Sequence, residues 1–253
     1  RVWKKITAAG RITMEELEEQ YESDKLEDGT PGPGFVRYYL NRTPMDEVEE
    51  PFMKRRDVTA CKKTERLEID WNQWFCVGLD GAVRGDTLAI VAAQRQDERW
   101  AYAEWCWEKP EKGSSVYDLT AVADVLLELA RKPGAPFICA DPARMQFLSN
   151  WLERTYDFDL SQVPQTPSIM CPASELLARA VSTHIASLGD TPILAAHCIN
   201  AVSSESKAYG RRLASVKHGQ GSKRIDAAVA AAMAMWAYDN NEEESPNVWT
   251  IDL

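Results

Sequence analysis

The order of its apolar segments constrains the fold of this 253-residue chain more than any other feature. Three segments that suit strands come first, joined by short loops as in an antiparallel meander. Strand and helix patterns then alternate, which favours an α/β fold with a central mixed sheet flanked by helices. The predicted strands span residues 75–79, 87–94, 100–107, 137–140 and, more weakly, 163–170. The predicted helices span residues 116–131, 143–155 and 173–188, and a last one starts near Asp226 after an irregular basic region.

Two of the predicted strands end on an aspartate, although aspartate is a poor strand former. Asp80 ends the first strand, and Asp141 follows the strand of residues 137–140. If these strands pair in parallel, both carboxylates emerge at the same edge of the sheet, where open α/β sheets bind ligands. Asp226 starts an alanine-rich helix that can lie close to the sheet, so it can bring a third carboxylate to this edge.

Three carboxylates in one place repel, so their pKa values rise or they bind cations. Oxygen ligands with open positions suit Mg²⁺ or Mn²⁺, and two such ions about 3.5–4 Å apart can stabilise both oxygens of a phosphodiester displacement. Each acid also has a structural alternative. Asp80 and Asp86 suit a polar hairpin loop, Asp141 a turn before Pro142 and Asp226 a helix N-cap. Their joint placement favours a metal site.

The charge distribution permits a nucleic-acid partner despite a net charge of −10. Residues 1–50 and 240–253 together carry −9, which leaves about −1 for residues 51–239. Within this nearly neutral part, residues 206–225 contain six bases and no acid, a pattern that suits phosphate binding, with a solvated loop as the alternative. The six bases are Lys207, Arg211, Arg212, Lys217, Lys223 and Arg224. An earlier basic cluster, for which a solvated loop is the stronger alternative, contains Lys54, Arg55, Arg56, Lys62, Lys63 and Arg66.

The ends of the chain differ from its middle. Thr13 and Glu16 form the pattern of a capping box, which predicts a short acidic helix through about Ser23. A linker rich in glycine and proline follows at residues 27–34, and residues 241–253 form an acidic tail. No apolar run is long enough to span a bilayer, and the six scattered cysteines are typical of reduced thiols in a cytoplasmic protein.

Three motifs resemble a known family. They are "GLDGAVRGDTLAIV", "ICADPARM" and "KRIDAAVAAAMAMWAY", and in this order and spacing they resemble the nuclease domain of phage terminase large subunits. The segments "FVRYYLNRTP" and "HCINAVSSESKAYGRRLASVKHGQGSKRID" are also similar to parts of these proteins, so the resemblance covers most of residues 35–240.

The resemblance implies an RNase H-like fold and an endonuclease that cuts concatemeric viral DNA during packaging, in the cytoplasm of the infected bacterial host. It implies that Asp80, Asp141 and Asp226 are catalytic ligands of two divalent ions, Mg²⁺ or Mn²⁺, with Asp86 as a supporting ligand. The basic run, residues 206–225, would bind double-stranded DNA. In the full-length protein, the portal and the small terminase subunit are the expected partners.

One departure from the family is large. Its motor domain needs a Walker A loop, and no G-x-x-x-x-G-K-[ST] occurs in this chain. We therefore expect residues 1–50 to be a linker that follows an absent ATPase domain, residues 51–240 to be the nuclease domain and residues 241–253 to be a tail. The alternatives are a resolvase or transposase of the same fold, a catalytically idle DNA-binding or assembly module and, with the least support, a sugar kinase or actin-like ATPase.

Overall fold

A computed structural model describes residues 13–25, 31, 35, 50–81, 87–107, 118–134, 136–215 and 224–241. The chain divides into two compact units, Arg1–Glu50 and Pro51–Leu253. In the first unit, helix α1 spans Met14–Asp24. The Thr13 hydroxyl accepts a hydrogen bond from the Glu16 N–H, and the Glu16 carboxylate accepts one from the Thr13 N–H. The predicted capping box is therefore confirmed.

The second unit contains a five-stranded sheet and, beside it, a two-stranded hairpin. The strands are β1 (Cys76–Gly81), β2 (Leu88–Gln96), β3 (Arg99–Trp107), β4 (Phe137–Ala140), β5 (Ser161–Gln162), β6 (Val202–Ser206) and β7 (Gly210–Ala214). The helices are α2 (Arg55–Cys61), α3 (Leu119–Ala130), α4 (Pro142–Tyr156), α5 (Pro167–Ser182), α6 (Pro192–Asn200) and α7 (Asp226–Asn241). Among the described residues, no helix combines the length and the apolarity that crossing a bilayer requires.

The sheet has the order β3-β2-β1-β4-β5. Strands β1, β2 and β3 pair antiparallel, whereas β4 pairs parallel with both β1 and β5. The predicted meander and the predicted parallel pairing are both confirmed. Because Leu79 lies opposite Ala140 in the β1–β4 register, Asp80 and Asp141 follow at the same edge of the sheet.

Helices cover both faces of the sheet. Val77, Leu79 and Ile90 belong to one core together with Leu126 of α3 and Leu148 of α4. The alternate strand residues, such as Cys76 and Val91, belong to a second core with α5, α6 and α7. Side chains along a strand point alternately to its two faces, so a strand that is buried on both faces is apolar throughout. Strand β1 is fully buried for this reason, and its aspartate must lie within or beside a core.

Three expectations between residues 163 and 225 were wrong. Strand β5 ends by Gln162 rather than near residue 170, because Pro164 has no N–H for the ladder and Pro167 starts α5. Helix α5 therefore spans Pro167–Ser182 instead of residues 173–188. The region that we expected to be irregular contains α6 and the β6–β7 hairpin.

Candidate active site

Asp80 and Asp141 lie at the carboxyl ends of β1 and β4, which are neighbouring parallel strands of the sheet. The residues are only 2% and 5% exposed. A carboxylate removed from water is costly unless hydrogen bonds or opposite charges stabilise it. The contacts of each acid therefore decide what this edge of the sheet can do.

Asp226 reaches the same edge because α7 crosses β1 at very short range. A Cβ atom on Gly78 would lie 2.1 Å from the backbone oxygen of Ala230, so only glycine fits there. Asp80 is two residues beyond Gly78 on the strand, and Asp226 is one helical turn before Ala230. Both displacements are about 6 Å. The charge of Asp226 acts directly on Asp80, so the two carboxyl groups lie near each other.

Asp226 is buried, and it lies inside α7 instead of capping it. The Ile225 carbonyl accepts the first helical hydrogen bonds, from the N–H groups of Ala228 and Val229. The N–H of Ala227 donates to Nδ1 of the buried His197, at 3.0 Å. His197 thus satisfies a backbone donor of the first turn that an N-cap side chain would otherwise satisfy. The N-cap alternative for Asp226 is not supported.

Asp141, in contrast, is the N-cap of α4. Its Oδ1 atom accepts a hydrogen bond from the Ala143 N–H at 3.3 Å, and Pro142 occupies the first helical position. The same oxygen accepts from the Gln165 N–H at 3.4 Å. Asp141 therefore has a structural role, but as a helix N-cap and not as the turn residue that we considered. Whether Asp141 also binds a metal is a separate question, because a carboxylate has a second oxygen and several lone pairs.

Gln165 connects two of the acids, and sequence reasoning missed it. Its side-chain Nε2 donates to Oδ1 of Asp80 at 2.7 Å, while its backbone N–H donates to Asp141. Gln165 follows β5, which is parallel to β4, so it arrives at the same edge of the sheet as the acids. Extending the strand-end argument from the acids to the neutral polar residues after the fifth strand would have found it.

Arg144 was also missed. Its Nη1 atom lies 3.8 Å from Oδ1 of Asp80, and its side chain is about half exposed. Helix α4 begins at the carboxyl end of β4, so its first turn can extend a basic side chain over the edge of the sheet. An arginine three residues after Asp141 is the signal that could have indicated this contact.

The charge balance at Asp80 is unfavourable to its ionised form. Burial first, and then the negative charge of Asp226, raise the pKa of Asp80 from 3.8 to about 7. The hydrogen bond from Gln165 and the charge of Arg144 oppose this rise without cancelling it. A cation bound at this edge would stabilise both carboxylates.

The described residues do not complete a metal site. Within them, no group of three histidine, cysteine, aspartate or glutamate side chains lies close enough to hold one ion. Asp80 and Asp226 form a close electrostatic pair, and Asp141 is connected to Asp80 through Gln165. Asp86, the predicted supporting ligand, lies outside the described residues.

Comparisons with known proteins agree with this architecture. The family model of the terminase large subunit endonuclease domain matches residues 104–242, more than half of the chain. The chain belongs to this family. The matched residues include Asp141, Gln165, the β6–β7 hairpin and Asp226, and they begin after Asp80. No curated protein matched the sequence.

Solved structures show the same fold. The large terminase of bacteriophage HK97 is 21% identical with a TM-score of 0.62, over 89% of this chain and 51% of that one. The chain thus spans about half the length of the HK97 protein. The large terminase nuclease from the thermophilic phage G20c is 13% identical with a TM-score of 0.50, over 72% of this chain and 97% of that one. A G20c structure with bound magnesium is 12% identical, also with a TM-score of 0.50, over 74% and 96%. The predicted RNase H-like fold is confirmed.

The basic run, residues 206–225, includes the turn and strand β7 of the β6–β7 hairpin and continues to the residues before α7. Lys207 is exposed in the turn, and Arg212 lies opposite Ser204 in the ladder. Arg224 precedes Asp226 by two residues, and its carbonyl accepts a hydrogen bond from the Asn200 side chain at 3.1 Å. Lys217 and Lys223 lie outside the described residues.

Arg211 differs from the other bases because it anchors the hairpin. Its Nε atom lies 3.2 Å from a carboxylate oxygen of Glu175 on α5, and its guanidinium lies 5.3 Å from the ring centre of Phe52. The Leu213 N–H also donates to the Ser174 hydroxyl of α5. Arg211 therefore has a structural role that its place in the basic run did not indicate.

Proposed function

We propose that this chain is a metal-dependent endodeoxyribonuclease that cuts concatemeric viral DNA during genome packaging. The observation that carries the proposal is the buried pair of Asp80 and Asp226 at the sheet edge where β1 and β4 end, in a chain of the terminase nuclease family. Carboxylates in this position repel each other, and the raised pKa of Asp80 reflects a site that favours a cation. We therefore assign a metal-binding role to Asp80 and Asp226.

The donor set fits magnesium or manganese, which prefer oxygen ligands. We assign Asp80 and Asp226 as the central ligands, Asp141 as a ligand of the second ion through the oxygen that does not cap α4, since no three described acids lie close enough to share one ion, and Asp86 as a supporting ligand. A related nuclease, from phage G20c, has been solved with bound magnesium. When bound, two divalent ions supply an activated water and stabilise the charge on the attacking and leaving oxygens.

The protein's own groups orient the acids and exclude water from them. Gln165 fixes the Asp80 carboxylate by its 2.7 Å hydrogen bond and is itself positioned by the end of β5. His197 fixes the first turn of α7, and hence the position of Asp226. Arg144 and Arg224 place positive charge at the edge of the site, where a DNA phosphate would approach.

We infer the substrate and the partners from the membership of the terminase family. We propose double-stranded DNA as the substrate, held by the basic run, and action in the cytoplasm of the infected host. The portal and the small terminase subunit would be partners of the full-length protein. The alternative of a catalytically idle assembly module has no specific support, because the RNase H-like sheet retains its three acids.

Plasmid nicking tests the proposal. We expect the purified chain to nick supercoiled DNA with Mn²⁺ or Mg²⁺, to be inactive in EDTA and to be indifferent to ATP, because no Walker A loop is present. An Asp80→Asn protein purified in parallel controls for contaminating nucleases and should be inactive. Cleavage in EDTA, a strict need for ATP, or parental activity in the Asp80→Asn protein would contradict the proposal.

A further inference from the structure

The segments that carry the two basic clusters, about 150 residues apart in the sequence, are in contact in the structure. The Phe52 N–H donates to the Ala201 carbonyl at 2.9 Å, and Pro51 forms a bridge with Val202, the first residue of β6. The Arg211 guanidinium of β7 lies over the Phe52 ring. The segment that leads into α2 therefore packs against the base of the β6–β7 hairpin.

Two bases of the early cluster follow this contact directly. Lys54 and Arg55 are exposed, and no carboxylate of the described residues lies within 4 Å of either one. Two other members of the cluster are compensated, since Arg56 pairs with Asp57 and Arg66 pairs with Glu68. Within three residues of Phe52, the chain thus presents two positive charges near the base of the hairpin.

A further hydrogen bond connects the base of the hairpin to the segment that carries Asp226. Asn200, which precedes Ala201, donates its side-chain N–H to the Arg224 carbonyl, and Arg224 is two residues from Asp226. The base of the hairpin therefore lies between the start of α7 and the segment of Phe52. From this base to the turn, the five residues of β6 extend over about 16 Å. One strand of duplex DNA advances about 3.4 Å per nucleotide, so the hairpin is as long as roughly five base pairs.

We propose that Lys54 and Arg55, together with Lys207 and Arg212 of the hairpin, form one phosphate-binding surface for duplex DNA beside the acids. The inference rests on the proposed function and names the part of the chain that holds the substrate. A duplex suits this surface better than a free nucleotide, because the charges are spread along an edge instead of lining a pocket. In a chain with a net charge of −10, a local concentration of bases is needed to attract a polyanion.

The salt dependence of DNA binding tests this surface. Binding of a fluorescent duplex is measured by anisotropy in EDTA, so that no cleavage occurs, for the parent and for the Lys54→Ala/Arg55→Ala protein. Each lost phosphate contact should reduce the slope of log K against log salt by roughly 0.9, or about 1.8 for both. Between about 50 and 200 mM salt, the affinity of the parent should then fall roughly tenfold more than that of the variant.

A matched control separates local contacts from net charge. Arg131, the C-cap of α3, and Arg154 of α4 are exposed, and both helices cover the opposite face of the sheet. The Arg131→Ala/Arg154→Ala protein removes the same number of charges. We expect this control to keep the parental slope. The proposal is overturned if the Lys54→Ala/Arg55→Ala protein keeps the parental slope, or if the control loses as much. A parent that nicks plasmids with Mn²⁺ while the slopes agree would refute this surface alone, whereas a parent that neither binds nor cuts DNA would refute the proposed function as well.

Discussion

Asp80 is a residue whose surroundings conflict with its charge. It is buried at the sheet edge and lies near another carboxylate. Only the Gln165 amide, the distant Arg144 guanidinium and the backbone of Gly81 favour its charged form. Burial of a carboxyl group costs free energy that folding alone does not repay. Such a group destabilises the metal-free fold, and this cost is typical of sites that are built for a ligand rather than for stability.

The pH dependence of stability should reveal this cost. The pKa of Asp80 rises from 3.8 to about 7 on folding, so the folded state binds more protons than the unfolded state between these values. Parental stability therefore falls as the pH increases from about 4 to 7, by on the order of 4 kcal/mol for this group. An Asp80→Asn protein, which keeps an acceptor for Gln165, is free of this loss. In EDTA, its melting temperature relative to the parent should increase with pH over this interval. A difference that is the same at pH 4 and at pH 8 would contradict the assignment.

The acids could be predicted from the sequence, but their neighbours could not. Asp80 and Asp141 stand out because a charged residue ends an apolar run, which is a local signal. Gln165 and Arg144 carry no such signal, since polar residues in loops and first helical turns are common. Their importance depends on the pairing of β5 with β4 and on the start of α4, which are properties of the folded chain.

At the level of elements, the close crossing of α7 over β1 positions the site. Helix α7 contains mostly alanine where it meets the sheet, and at Gly78 the strand β1 has no side chain that would separate the two backbones. Small residues on both elements allow the backbones to approach, and this approach brings Asp226 to Asp80. The alanine content predicted a close approach, whereas the role of Gly78 required the structure.

Substituting Gly78 by alanine should therefore be destabilising. The added Cβ would lie 2.1 Å from the Ala230 oxygen, a backbone atom that can move only with the helix. We expect a loss of roughly 1–3 kcal/mol or more, as for other overpacked cores. Gly189→Ala is the matched control, because its Cβ would meet its nearest neighbour, the Lys62 oxygen, at 3.5 Å. Urea denaturation should show a lower midpoint for Gly78→Ala and little change for Gly189→Ala. Equal midpoints would show that the crossing is looser than described.

The hairpin shows why some elements escape sequence reasoning. Strands β6 and β7 contain few apolar residues and show no clear alternation, so their pattern is that of a polar loop. Their position depends on α5, through the contacts of Ser174 with Leu213 and of Glu175 with Arg211. A strand stabilised mainly by tertiary contacts has no periodic signal of its own.

For the molecule as a whole, the elements with a clear apolar period were predicted to within a few residues, and their order was sufficient for the topology. Strand β4 spans the predicted residues 137–140, and the meander and the parallel crossover are as expected. Errors are concentrated after Pro164, where two prolines shorten a strand and shift a helix. The sequence therefore predicted the sheet and the helices that form the core, but it did not predict how the polar segments pack against that core.

The last prediction separates a metal ligand from a helix cap. Asp141 and Asp118 are both N-caps, of α4 and α3, and asparagine caps almost as well as aspartate. The Asn variants of both should therefore fold with nearly parental stability without metal. Mn²⁺ should raise the melting temperature of the parent, since a ligand that binds only the folded state adds about 2.7 kcal/mol at 100 times its Kd. Thermal unfolding with and without Mn²⁺ should show the full increase for Asp118→Asn and a smaller one for Asp80→Asn, Asp226→Asn and Asp141→Asn. If Asp141→Asn keeps the full increase, as its matched control does, Asp141 is a cap alone and the metal site must be built from the other acids.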